Sequence, residues 1–179
     1  NLTANFVGVD LSWSNFTGAK LSYGSFINST LVGVNFSNAT GAAVNFKNAN
    51  LSNANFTGSG FPQAQLENAD LSSSNFTNAN IASSILNAAD LQDATLTNAV
   101  LEGGQLIGAK LINADLTNAD LRRTNFGSAV IRNATFTNTN LAYASVIDAQ
   151  IISTNLSSAS LPNATLIRTV MTGSDLHEA

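Results

Sequence analysis

Every fifth residue of this chain is a large hydrocarbon side chain, and no ordinary helix or strand tolerates that spacing. The series starts at Phe6, Leu11, Phe16, Leu21, Phe26 and runs without insertion to Met171 and Leu176. It has 35 positions, and 34 are Leu, Phe, Ile, Val or Met; Gly41 is the exception. All ten phenylalanines fall in this register. A second series, two residues earlier, runs from Ala4 and Val9 to Ser174 and Ala179. Of its 36 members 21 are Ala, and none is larger than Val. On an α-helix a step of five swings the apolar stripe by about 140° each time. On a flat strand an odd step throws it to the opposite face. The pattern closes only if the backbone turns a corner in each five-residue block, so that every large residue points at one axis. The small residue two places earlier then points inward as well.

The phenylalanines indicate how many blocks make a circuit. Nine of the ten occupy positions ending in six, so alternate sides of the coil are equivalent. Two sides leave no room for a core and six leave a hole; four sides give 20 residues per turn. Phe16, Phe36, Phe56 and Phe76 then stack on one side, with Phe6, Phe26 and Phe46 opposite. Charges support the same period: Lys47 and Glu67, Asp90 and Lys110, Glu102 and Arg122, and Asp148 and Arg168 each lie 20 apart. They fall on adjacent rungs about 4.8 Å apart. Asp70 and Asp90 break the rule.

The position between the two series is often Asn or Asp, giving words such as Ala69-Asp70-Leu71-Ser72-Ser73 and Ala114-Asp115-Leu116-Thr117-Asn118. Repeated in this way, the word resembles the pentapeptide-repeat family over essentially the whole chain. The resemblance implies an all-β, right-handed quadrilateral β-helix of four repeats per coil. The chain has room for about nine coils, a rod some 43 Å long at about 4.8 Å per rung. It reads as one repeat domain over residues 1–179. The repeat already includes Asn1-Leu2-Thr3 and runs to His177-Glu178-Ala179 with no capping helix. The chain is therefore expected to be either a fragment or a rod whose ends are covered by self-association.

Irregular positions are few. Gly41 removes one core side chain, and its stacked neighbours are Leu21 and Phe61. Phe61 either leans over the gap or stands beside a tolerated defect. Pro62 and Pro162 each follow a core residue and are expected to cost one ladder donor.

Composition narrows the chemistry. The chain of 179 residues contains no Cys, one His, seven Lys+Arg and eleven Asp+Glu, for a net charge of −4. Thiolate metal sites, disulfides and cysteine nucleophiles are excluded. His177 stands alone near the terminus, so neither a catalytic triad nor a His-rich metal site is expected. Asp115 and Asp120 are one repeat apart and so lie on adjacent sides, a poor arrangement for acid–base catalysis. Gly103-Gly104 lacks the context of a phosphate loop. Eleven Asn-x-Ser/Thr sequons, Asn15, Asn28, Asn55 and Asn133 among them, follow from the repeat composition. Arg122, Arg123 and Arg132 sit among acids, which disfavours a nucleic-acid surface. No apolar run is long enough for a transmembrane helix. No cofactor or metal is expected. The compartment is not encoded here: cytoplasm, periplasm and the thylakoid lumen all fit. The family is abundant in cyanobacteria.

What remains is surface. Trp13, Tyr23 and Tyr143 fall two places after a core position and should face outward. In the C-terminal third, Ile107, Ile147 and Ile167 share one stacking column, Ile112 and Ile152 share its neighbour, and Val130 and Val170 lie in the row between. This apolar stripe is expected to be either a partner or self-association surface or a simple expression of β-propensity. The leading reading is a non-catalytic structural or protein-interaction module offering a rigid rod to a protein partner. The alternative, drawn from the family resemblance, is a DNA mimic that binds DNA gyrase and protects against quinolones. Against it, no acidic residue lies between Asp10 and Glu67, and the eight acids from Asp90 onward are interspersed with five basic residues. Ice or carbohydrate binding through hydroxyl ladders is expected to fail for want of an unbroken Thr column.

Overall fold

A computed structural model describes residues 4–179; Asn1-Leu2-Thr3 lie outside the described residues. The chain winds as a right-handed quadrilateral β-helix. Its period is set by parallel bridges between residues 20 apart, from Asn5↔Ser25 to Asn155↔Asp175. Most sides contribute a single bridged residue. Three successive rungs extend further into three-residue strands: β1 (Lys110–Ile112), β2 (Val130–Arg132) and β3 (Gln150–Ile152). These form one parallel sheet in the order β1-β2-β3, with Leu111, Ile131 and Ile151 in register.

Both inward series fill the tube. Leu31, Leu51, Leu71, Leu91, Leu111, Leu116 and Phe136 are buried, as are Ala39, Ala79 and Ala109. Removing this hydrocarbon from water, worth about 25 cal/mol per Å², is the main favourable contribution to folding. The phenylalanines stack along two opposite columns at ring-centroid separations of 5.1 Å for Phe6–Phe26, 5.2 Å for Phe16–Phe36 and 4.5 Å for Phe56–Phe76. Edge-on contacts, such as Phe26–Phe36 at 5.7 Å, knit the columns together. Most buried Ser and Thr in the small inward series find a backbone acceptor; Ser59 Oγ is the exception. Ser29 Oγ donates to the Phe26 carbonyl, and Thr124 Oγ1 reaches the Leu101 carbonyl of the preceding rung.

Corners follow from the fate of each backbone N–H. Around core residue Phe56, the amides of Asn55, Phe56 and Gly58 bond to the rungs on either side, and Ser59 N closes the turn on the Phe56 carbonyl at 3.0 Å. The amide one place after the core residue has no backbone partner. The Asn or Asp two residues before it supplies one: Asn55 Oδ1 accepts from Thr57 N at 3.0 Å, and Asp70 Oδ1 from Ser72 N at 3.0 Å. This side-chain capping is the physical reason for Asn and Asp in the repeat word. Where Gln105 cannot reach its own corner, Asn87 of the neighbouring rung accepts from Ile107 N at 3.0 Å.

The same accounting corrects the expectation for the prolines. Pro62 and Pro162 occupy the one position whose N–H the ladder never uses, so neither removes a ladder bond. Their carbonyls still accept from Ala43 N at 3.0 Å and Tyr143 N at 2.9 Å. Proline also suits this place in a type II turn.

Each corner needs a left-handed residue two places after the core position. All of them, 28 non-glycine residues and seven glycines, have positive φ. Asn and Gly dominate there, and no Val, Ile or Thr occurs, because a β-branched side chain is strained in that conformation.

Gly41 is not a void. A β-carbon there would lie 2.7 Å from both Leu21 C and Ser22 N, so the backbone of the preceding rung occupies the space. Phe61 does lean that way, with its ring edge-on to Phe36, Phe46 and Phe56 at 5.9, 5.8 and 6.0 Å.

Candidate functional site: the outer faces of the rod

Four outer sides are available, and the structure sorts the residues among them. The ion pairs expected from spacing are present. Lys47 Nζ lies 3.3 Å from Glu67 Oε1, Lys110 Nζ 3.1 Å from Asp90 Oδ2, and Arg122 Nη2 3.0 Å from Glu102 Oε2. Arg168 Nη2 donates to Asp148 Oδ2 at 2.6 Å. Arg122 also grips Asp120 at 2.6 Å, a contact within one rung that spacing alone did not suggest. Exposed pairs of this kind contribute little each.

Arg122 hydrogen bonds hold the Asp120 carboxyl below its ordinary range, with burial acting the other way. At Asp115 burial pushes upward, but the hydroxyl and amide of Thr117 and the hydroxyl of Thr97 outweigh it and leave the pKa lowered. A carboxylate depressed by folding stabilises above its unfolded pKa and loses that contribution as pH falls through the folded value. The melting temperature is therefore expected to drop on acidification below about pH 4. Asp120→Asn should flatten part of that drop in a calorimetric pH series.

One side is rich in hydroxyls. Its outer column reads Thr17, Ser37, Thr57, Thr77, Thr97, Thr117, Thr137 and Ser157. Five successive rungs thus carry Thr, between Ser37 and Ser157. Several of these hydroxyls are used internally: Thr17, Thr57 and Thr117 donate to Asn15, Asn55 and Asp115 of their own corners at 2.6 to 2.7 Å. The column reinforces corners.

Trp13, Tyr23 and Tyr143 are all exposed, but the fold does not bring them together. Tyr23 and Tyr143 share a column six rungs apart, and Trp13 lies on the opposite side. The Trp13 indole is folded down on Gly33, where a β-carbon would come within 2.2 Å of the ring. Tyr143 stacks under Arg123, whose Cζ is 6.0 Å from the ring centroid. Trp13 and Tyr143 are thus partly spent on contacts within the chain.

The aliphatic stripe does form one surface. Ile107, Ile167 and Val170 are exposed, and Ile112, Val130, Ile147 and Ile152 are half-buried. Strands β1, β2 and β3 run through its middle. The corners after Leu111, Ile131 and Ile151 lack the tight closing hydrogen bond seen after Leu91, where Ala94 N bonds the Leu91 carbonyl at 3.1 Å. Ile112 and Ile152, both β-branched, favour extended backbone there. β-Propensity is thus expressed at this stripe. Gly127 interrupts the isoleucine column: a β-carbon at 127 would sit 3.2 Å from Asn125 Oδ1, 3.8 Å from the Ile147 carbonyl oxygen and 3.9 Å from Cγ1 of Ile107. Sequence reasoning singled out the isoleucines and passed over this notch, although a Gly between two Ile at a spacing of 20 was its signal.

Among the described residues no group of three or more His, Asp or Glu could hold a metal ion, and no helix is long and apolar enough to cross a membrane.

Among solved structures, the chain is similar to a trypsin-treated form of QnrB1, a plasmid-mediated fluoroquinolone resistance protein. The identity is 21%, coverage is 97% of this chain and 90% of that one, and the TM-score is 0.79. Full-length QnrB1 matches at 20% identity with a TM-score of 0.67, over 97% and 92% of the two chains. HetL, a pentapeptide repeat protein involved in heterocyst differentiation regulation in the cyanobacterium Nostoc, is 25% identical over 98% of this chain and 86% of its own. Its TM-score is 0.28. The likeness to QnrB1 speaks to the fold alone. No curated protein matches the chain. The pentapeptide repeat region model matches residues 2–76 and 69–146, and the pentapeptide repeats model, eight copies long, matches 149–179. The chain belongs to the pentapeptide-repeat family.

Proposed function

We propose that the chain is a non-catalytic interaction module that presents a rigid β-helical rod to a protein partner through the C-terminal aliphatic stripe. The carrying observation is that seven aliphatic residues, Ile107, Ile112, Val130, Ile147, Ile152, Ile167 and Val170, gather on one side, across four successive rungs of which three form strands. Large aliphatic side chains on a flat, rigid surface give binding energy at small entropic cost. The test pairs the wild-type rod with the Ile147→Lys, Ile167→Lys variant as baits in the native host. Both should melt alike, and the variant should retain the partner at least about tenfold less, an anchor's worth of ~1.4 kcal/mol. A second copy of this chain would serve as the partner if the wild-type rod sediments as a dimer and the variant as a monomer. A monomeric wild-type rod whose captured proteins are unchanged in the variant contradicts the reading.

Fold likeness to QnrB1 raises the second reading, a gyrase-directed DNA mimic. Mimicry needs a continuous acidic face. Here five carboxylates, Glu67, Asp90, Glu102, Asp120 and Asp148, are ion-paired, and the acids are spread over all four sides. Gyrase supercoiling with and without a quinolone decides this directly, and no protection is the expected result.

A further inference from the structure

We infer that the aliphatic stripe takes a specific kind of protein segment: an extended stretch with one bulky apolar side chain and, about four residues away, a carboxylate. The inference rests on the reading of the stripe as a protein-binding surface and deepens it.

The rung running from Gly127 to Arg132 carries the argument. At one end is the Gly127 notch, bounded along its column by Ile107 and Ile147. In the middle is Val130, half-buried. At the other end is Arg132, stacked between Ile112 and Ile152 in a column that is otherwise aliphatic on these rungs.

Arg132 is the stripe's one cation without a carboxylate. Lys110 is held by Asp90 and Arg168 by Asp148. Arg132 instead donates from Nη2 to the neutral Gln150 Oε1 at 2.6 Å, and among the described residues it makes no ion pair. Its side chain is exposed, so most of its guanidinium donors remain free. A guanidinium is the cation most readily carried into an apolar interface, and its planar fork matches a carboxylate bidentately. A partner that covers the aliphatic residues must also cover Arg132. An apolar covering alone would strand that charge, whereas a carboxylate satisfies it. The missing side chain at Gly127 supplies the complementary apolar requirement, a gap in the isoleucine column between Ile107 and Ile147 over which a Leu, Ile or Phe side chain can lie. Gap and guanidinium lie at opposite ends of a single side of the square, so an extended segment crossing the rod there meets both.

An array of synthetic dodecapeptides tests this. Each peptide carries a central Leu or Phe and, at varied spacing, Asp/Glu, Asn/Gln or Lys/Arg. The full chain should be retained at least about tenfold better by apolar peptides with a carboxylate than by their amide counterparts. Arg132→Gln should erase that preference, Arg132→Lys should keep part of it, and Arg132→Glu should invert it towards basic peptides. Gly127→Ile, which completes the isoleucine column, should weaken retention of every bulky anchor without altering the charge preference. The Arg132 variants should keep the wild-type melting temperature, and Gly127→Ile should keep the wild-type circular dichroism. Retention that ignores the carboxylate, or that Arg132→Glu leaves unchanged, overturns the inference and leaves the stripe itself standing if Ile147→Lys, Ile167→Lys still abolishes it. Failure of the wild-type chain to retain any peptide overturns both.

Discussion

Leu91→Asp should abolish the stability of the central rungs. Leu91 is fully buried, and its stacked neighbours Leu71 and Leu111 are equally so. A carboxylate there has no polar partner and no water. An unpaired charge in such a site costs several kcal/mol, on the order of 5. For a chain of this length that lowers the melting temperature by roughly 10–20 °C. The loss spreads because each rung of a solenoid is stabilised mainly by its neighbours. Ala88→Asp is the matched control: it adds the same charge three residues away, at an exposed left-handed corner that Asp tolerates. The control should move stability by no more than about 0.5 kcal/mol. Equal melting of Leu91→Asp and wild type, followed by circular dichroism, would contradict the inward assignment of the series.

Gly41→Leu makes the repeat perfect and should nevertheless destabilise it. The sequence pattern alone argues the reverse, since Leu occupies this register in most other blocks. But the preceding rung has closed on Gly41, and the first atom of any side chain would meet the Leu21 and Ser22 backbone at 2.7 Å. Backbone cannot rotate away as a flexible side chain can. Overpacking costs about 1–3 kcal/mol where side chains can adjust, and the upper end is expected here. Phe61 already covers the space from the next rung, which leaves nothing for the added leucine to fill. A fall in melting temperature of about 5–10 °C is expected. A rise would show that position 41 is an unfilled defect.

Much of this architecture was legible because it is written in side-chain size. The 20-residue circuit came from the phenylalanine sub-period, and the ladders Phe6–Phe26–Phe46 and Phe16–Phe36–Phe56–Phe76 stand where that spacing places them. The four ion pairs 20 apart were readable for the same reason: once the period is known, stacking follows. Backbone requirements were harder to read. That positions such as Asn98 and Asn118 must be left-handed shows in the sequence only as the missing Val, Ile and Thr. The need for Asn55 or Asp70 beside a core residue becomes clear only when each amide is assigned a partner. Pro62 was misjudged for that reason, and the tight backbone contact at Gly41 escaped notice because close approach of two backbones leaves no mark in composition. Trp13 shows a further limit. Its outward register was plain, but its collapse on Gly33 depends on a residue one rung away that happens to lack a side chain.

The central claim is that the backbone closes a circuit every 20 residues, and it can be measured as one distance. The chain has no cysteine, so Asn78→Cys, Asn138→Cys introduces unique attachment points at two exposed corners of one column. With nitroxide labels on both, double electron–electron resonance should report a narrow distribution centred near three rungs, about 14 Å before allowance for the label tethers. A broad distribution, or a distance beyond roughly 30 Å for residues that should stand three rungs apart, would contradict the account.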